Sequence, residues 1–393
     1  MRRGPSRSAR PASARVPANN RPPVIVAPSS YSGDEGRPIQ LDASGVTSPC
    51  KSMLAYEWRL SDGTTEYGEK PQHSFPDSLV YSGLLVVSDP MGNTASQGFS
   101  VTTANLAPTV TAGPDTTADW GRDVAFNGSA VDASKVDQKT LSYTWTFGDG
   151  SPSASGGPSV THAYATPGTY TATIVACDKD GACSAPDERV VHVTKRDVGL
   201  AYNGVTQGTY DTPATFSGSL VDEFGQAINA GQVSFTLGDF TLGDQDLGTV
   251  GSNSAGKASV RAIVGQTAGS YTATATYGGS ALYEAATGSA AFRVGLKATM
   301  VTYTGALTGG PNKTITLSAI VKDASGTPLP GVEVAFVLGK QSATATTNAN
   351  GIAATSIKLA QKNGTYTVTA TYAGTPGKYN GDAASATFKL QAK

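Results

Sequence analysis

The segment "AGSYTATATYGG" at 268–279 returns as "NGTYTVTATYAG" at 363–374. It does not return alone. "LVDEFGQAINAGQVSFTLG" (220–238) is answered by "VKDASGTPLPGVEVAFVLG" (321–339), and "SNSAGKASV" (252–260) by "TNANGIAAT" (347–355). The offset is 101 residues early and 95 later, and the loop "DFTLGDQ" in the first copy accounts for the difference. Residues 196–295 and 296–393 are therefore two copies of one unit. A second, more diverged pair precedes them. "YEWRLSDG" (56–63) is answered by "YTWTFGDG" (143–150), "HSF" (73–75) by "HAY" (162–164), and "YSGLLVVSDPMG" (81–92) by "YTATIVACDKDG" (170–181). This pair divides the first half into 22–104 and 105–195.

Each unit consists of short alternating runs between Gly, Pro, Asn and Asp clusters. "TYTVTATYA" and "YTWTF" both alternate with period two. Charged residues make up only 15% of the chain, while Gly (46) and Pro (22) are frequent. Short strands joined by tight turns suit that composition, and helices do not. Strands at this spacing predict an all-β chain: four tandem immunoglobulin-like antiparallel β-sandwiches. Tyr170, Tyr271 and Tyr366 each follow Gly-Thr or Gly-Ser at a strand start. There a ring can be buried while its hydroxyl reaches nearby backbone.

Residues 1–21 hold six arginines and no acid. With their Pro, Ser and Ala they cannot bury a core, so a disordered basic tail is expected. It is either a solvated leader or linker, or a basic arm for an anionic surface. No apolar h-region follows it, so no export signal is visible, and no run is long enough to span a membrane. The net charge of −1 gives the whole chain no reason to seek nucleic acid. Cys177 and Cys183 bracket the turn "DKDGA" and could meet disulfide distance limits, which would imply an oxidising compartment. Cys50 is left over, as a free thiol or an intermolecular link.

The residues of 105–195 resemble a PKD domain, an immunoglobulin-like module of bacterial and archaeal surface and secreted proteins. The resemblance rests on Trp145, Phe147, Gly148, Asp149 and Gly150, on His162 and Tyr164, on "PGTY" ending at Tyr170, and on "DKDG" at 178–181. Residues 22–104 resemble a degenerate copy that keeps Trp58, Asp62, Gly63 and His73. Residues 196–393 resemble the bacterial Ig-like repeats of adhesins and surface stalks, through "DASGTPLPGVEVAF" (323–336) and "GTYTVTATY" (364–372).

The PKD resemblance implies a calcium site at Asn105, Asp132, Asp137 and Asp178, whose oxygen donors suit a hard cation. Only Asn20, Asp42 and Asp89 correspond in the first copy. The alternative is that these side chains form Asx turns at loop ends. Trp58 and Trp145 alternate inward and are assigned to the core. Trp120, before a Gly at a predicted turn, is either an exposed contact for a sugar or protein partner or packs against a neighbouring unit. The histidines His73 and His162 are read as packed, hydrogen-bonded structural residues, and His192 as outward-facing. No nucleophile elbow, paired catalytic carboxylates or phosphate loop is present, so catalysis is not expected and no catalytic residue is assigned.

The expected function is that of a non-enzymatic extracellular or cell-surface spacer or adhesion module. Its partners would be protein or polysaccharide, with no cofactor other than calcium. Four sandwiches end to end would reach about 150 Å. A virion appendage would explain the absent export signal but fits a disulfide less well. The ancillary region of a secreted hydrolase is disfavoured by a chain that opens at Met1 with no catalytic domain.

Overall fold

The chain is all-β, a tandem array of immunoglobulin-like sandwiches. The structure is a computed structural model and describes residues 21–49, 51–239 and 243–391. The basic tail up to residue 20 and Cys50 lie outside the described residues. The chain divides between Thr194 and Lys195 into two units.

In the first unit, one five-stranded sheet runs in the order Ser30–Asp34, Thr94–Ala104, Val80–Ser88, Ala55–Leu60, Thr65–Tyr67. The pair Pro38–Gln40 and Gln72–Ser74 supplies the other layer. Alternation in Ala55–Leu60 turns Tyr56, Trp58 and Leu60 inward, against Leu41, Phe75 and Leu85. A second five-stranded sheet runs Ala154–Gly156, Ser142–Thr146, Gly168–Cys177, Asp187–Thr194, Thr116–Asp119. Opposite it, Asp123–Asn127 pairs with Ser159–Ala163, and Thr109–Thr111 with Ser129–Val131. Trp145 is fully buried here, 5.1 Å from the Phe126 ring.

The second unit holds the two closely similar copies. In the earlier one, Val198–Tyr202, Pro213–Asp222 and Lys257–Ile263 form a three-stranded sheet. Its partner runs Gln207–Thr209, Ala286–Gly295, Gly269–Tyr277, Gln232–Asp239, Gly243–Gly251. The later copy repeats both orders, from Thr299–Tyr303 through Asp382–Leu390. Phe235 and Phe292 of one core are matched by Phe336 and Phe388 of the other. The extra residues of the earlier copy lengthen one hairpin: Gln232–Asp239 faces Gly243–Gly251 where the later copy has Glu333–Leu338 and Gln341–Thr346.

The sandwiches depart from a purely antiparallel expectation in one repeated detail. Each five-stranded sheet has one parallel edge pairing: Ser30–Asp34 on Thr94–Ala104, Thr116–Asp119 on Asp187–Thr194, Gln207–Thr209 on Ala286–Gly295, and Thr308–Gly309 on Asp382–Leu390. In the last three, the opening strand is broken: its first part pairs antiparallel in one layer, then the chain crosses and its second part joins the other layer in parallel. Closing both layers with one strand covers an edge that would otherwise stay open. Among the described residues, no helix is long and apolar enough to cross a membrane.

Candidate metal centre

Five polar side chains gather where the two sandwiches of the first unit meet. Glu35 follows the strand Ser30–Asp34, and its N–H donates to the Ala104 carbonyl at 3.1 Å. Gly36 then turns with φ +64°, and a Cβ there would lie 1.9 Å from the Ala133 carbonyl oxygen of the second sandwich. Only glycine permits both the conformation and the approach. Asn105 sits on the connection between the sandwiches. Asp132 ends the strand Ser129–Val131 and accepts the Ser134 N–H at 2.7 Å. Asp137 opens a single 3₁₀ turn, with its own N–H on Ser134 Oγ. Asp178 follows Gly168–Cys177, and its Oδ1 accepts the N–H groups of Asp180 and Ala182, both at 2.9 Å.

In Asp132 and Asp178 these hydrogen bonds use one carboxylate oxygen and leave the other bare. Glu35 Oε2, Asn105 Oδ1, Asp132 Oδ2, both oxygens of Asp137 and Asp178 Oδ2 are buried with no hydrogen-bond partner. Glu35 and Asp137 are fully buried, Asp178 is 7% exposed and Asp132 8%. Asn105 donates through Nδ2 to Asp178 Oδ1 at 3.3 Å, so its bare atom is the acceptor oxygen. Leaving a charged oxygen buried and unpaired costs several kcal/mol, roughly, for each. Burial, then the charges of Asp137, Asp132 and Asp77, push the Glu35 carboxyl up to about 6. Burial and the charges of Asp137 and Asp178 likewise raise Asp132. The bare atoms are hard oxygens under mutual repulsion, a donor set that suits a hard cation.

On the outer side, Glu35, Asp77, Asp137 and Asp180 each offer an oxygen within 4.8 Å of the others. Lys179 Nζ lies among three of them, at 2.7 Å from Asp77, 3.0 Å from Asp137 and 2.5 Å from Asp180. The contact with Asp137 is an ion pair through Oδ1, and Asp137 Oδ2 is left without a partner. Hydrogen bonds to Asp180 and Asp77 raise the Lys179 pKa, so it is a fixed cation.

The earlier sandwich provides an internal comparison. Asp42 stands where Asp132 does and accepts the Ser44 N–H at 2.7 Å, but its second oxygen meets Lys70 Nζ at 3.0 Å. Asp89 stands where Asp178 does, and Asn93 Nδ2 takes its second oxygen at 2.9 Å. Hydrogen bonds from Ser44 and Lys70 hold the Asp42 carboxyl at about 2, the opposite direction from Asp132. Asn20 lies outside the described residues. Asx-turn hydrogen bonds and their partners thus account for both oxygens of Asp42 and Asp89, but for only one oxygen each of Asp132 and Asp178.

A family model for the PKD domain matches residues 20–103 and again 105–193. A model for the bacterial Ig-like domain (group 1) matches 298–389. The chain carries PKD domains followed by a bacterial Ig-like domain. Among solved structures, a tetra-tandem repeat from the extending region of a large adhesion protein is 18% identical, with 93% of this chain and 99% of that chain covered and a TM-score of 0.39. A Ca²⁺-stabilized adhesin that helps an Antarctic bacterium bind ice is 15% identical, covers 93% and 97%, and has a TM-score of 0.27. Fibronectin(III)-like modules of Clostridium thermocellum CbhA are 18% identical over 44% of this chain and 94% of theirs, at a TM-score of 0.20. Likenesses this distant leave ligand and role open.

Other signature residues of the PKD domains make their contacts within their own domains. Asp149 accepts the Ser151 N–H at 3.0 Å, capping its own turn, and pairs with His162 Nε2 at 2.7 Å. The His162 ring stacks on Phe147 at 4.0 Å, and Tyr164 donates to the Phe147 carbonyl. Asp62 and His73 repeat the pair at 2.7 Å in the first domain. His192 is exposed and meets Thr169 Oγ1 at 3.2 Å. Cys177 and Cys183 are joined by a disulfide that brackets the Asp178 turn. Trp120 is half-buried and packs against the core of its own domain.

Glu35, Asp77, Asp180 and Lys179 were not expected at the site. A signal for Glu35 was present in the repeat. "DEGR" (34–37) aligns with "DWGR" (119–122), and both turns make the same backbone bonds. Glu35 therefore occupies the position of Trp120, an acid where the second domain has an aromatic.

Proposed function

We propose that this chain is a non-enzymatic extracellular or cell-surface segment, a spacer or adhesion module for protein or polysaccharide partners. Its PKD pair would be joined by calcium. The domain division that goes with this reading is 22–104, 105–195, 196–295 and 296–393. The observation behind it is that six buried oxygens, contributed by both PKD domains, make no hydrogen bond, with Asp137 Oδ1 meeting Lys179 Nζ as an ion pair at 3.0 Å.

Glu35, Asn105, Asp132, Asp137 and Asp178 would hold the ion. A bound divalent cation supplies positive charge to these oxygens. Four of the five groups belong to the second domain, and Glu35 comes from the first. Closing the site therefore fixes one domain against the other, which is what a spacer requires and a catalytic centre does not. The Leu106 N–H on Glu35 Oε1 at 3.0 Å and the Ser134 hydroxyl on the Pro76 carbonyl at 2.7 Å already hold this junction together.

Calorimetric titration of the chelator-treated full chain with calcium, then magnesium, tests the reading. Saturable calcium binding that is lost in Asp132→Asn is expected. Binding unchanged in Asp132→Asn, or no binding, would sink it.

A further inference from the structure

The outer carboxylates raise a separate question, because a cation already sits among them and it belongs to the protein. Glu35, Asp77, Asp137 and Asp180 bring four oxygens within 4.8 Å of one another, close enough to share a single ion. Glu35 and Asp137 also line the inner set, and each has an unpartnered oxygen in a fully buried side chain. Asp132 and Asp178 are not part of this four-residue group, so the carboxylates that Lys179 contacts form a separate focus.

We propose that the Lys179 ammonium occupies a second cation position at this junction and so limits the chain to one divalent ion. The inference rests on the calcium reading for the first ion. Lys179 Nζ contacts Asp77, Asp137 and Asp180, three of the four carboxylates of the outer focus. Asp77 belongs to the first PKD domain and the other two to the second, so Lys179 also bridges the domains. A single positive charge there neutralises less than a divalent ion would. In exchange it is covalently present and needs no dissolved metal. Its side chain is one-third exposed, so the position is open to solvent ions once the ammonium is removed. The contacts also predict that Lys179 repels an ion bound at the inner oxygens, since like charges at one junction repel even when partly screened.

The test is calcium stoichiometry on the full chain, read by native mass spectrometry and calorimetry with calcium as the only added metal. The wild type should take up one ion. Lys179→Ala should take up two, with the first bound about tenfold more tightly or better. Lys179→Arg, which keeps the charge, should stay at one. Circular dichroism checks the fold of each variant, and if Lys179→Ala unfolds, Lys179→Gln is read in the same way. Two ions on the wild type, or one ion on both wild type and the uncharged variant, would overturn the role of Lys179 while leaving the calcium site standing. No ion on the wild type but one on Lys179→Ala would overturn the calcium reading and support the role of Lys179. No ion on either would end both.

Discussion

Asp149 shows how one side chain does two structural jobs in a motif that resembles a reactive loop. Its Oδ1 closes the turn through Ser151, and its Oδ2 meets His162. Burial pushes the carboxyl up, but the hydrogen bonds from Ser151 and His162 outweigh it and hold it at about 2. A carboxyl depressed in this way stabilises the fold above its ordinary range, near pH 4, and loses that contribution as the pH falls toward 2. Asp149→Asn should therefore cost about 2 kcal/mol at neutral pH. The gap to the wild type should narrow as thermal melts are taken from pH 4 to pH 2, and a gap independent of pH would contradict this. Gly148 before it has φ +78°, and a Cβ there would lie 2.4 Å from the Thr171 carbonyl oxygen, so Gly148→Ala should destabilise more than Asp149→Asn. That His162 is hydrogen-bonded was legible in the sequence. Its partner was not, because that depends on which strand crosses beside the turn.

Among elements, the four sandwiches share one device at the start of their longest hairpins. Tyr81, Tyr170, Tyr271 and Tyr366 each donate to the carbonyl four residues earlier, on Asp77, Thr166, Thr267 and Lys362. Tyr366→Phe should cost about 1 kcal/mol in urea unfolding, and a neutral result would show that the ring alone matters. A second device opens both Ig-like copies. Lys297 Nζ meets Asp323 at 2.7 Å, and Arg196 meets Asp222 at 3.1 Å, each acid also closing a turn through two backbone N–H groups. Lys297 also reaches Asp211 of the preceding copy at 3.0 Å. Asp323 is only 2% exposed, so Lys297→Ala strands a buried carboxylate and should cost about 3 kcal/mol, measured by the same unfolding curves. The repeat offset was enough to locate these elements and pair them between copies. It said nothing of strand direction, since alternation is the same in parallel and antiparallel edges. That is why the parallel edge strands came only from the structure.

At the scale of the whole molecule, the account depends on a divalent cation at the junction of the PKD domains. Asn105, Asp132, Asp137 and Asp178 could be nominated from the sequence because they lie within one domain and the PKD resemblance points to them. Glu35 was not, because it arrives from the preceding domain, and sequence spacing within a motif cannot see across a domain boundary. The central claim is that these buried oxygens hold a divalent cation between the PKD domains. Without metal, crowded carboxylates repel, so removing one charge should help; with metal, the same change removes a ligand. Calorimetric unfolding of the full chain and of Asp137→Asn, in chelator and in calcium, reads this directly. The account predicts that calcium raises the unfolding temperature of the wild type. It also predicts that Asp137→Asn is the more stable protein in chelator and the less stable one in calcium. A wild type indifferent to calcium, or a variant whose rank does not change between the two conditions, would contradict it.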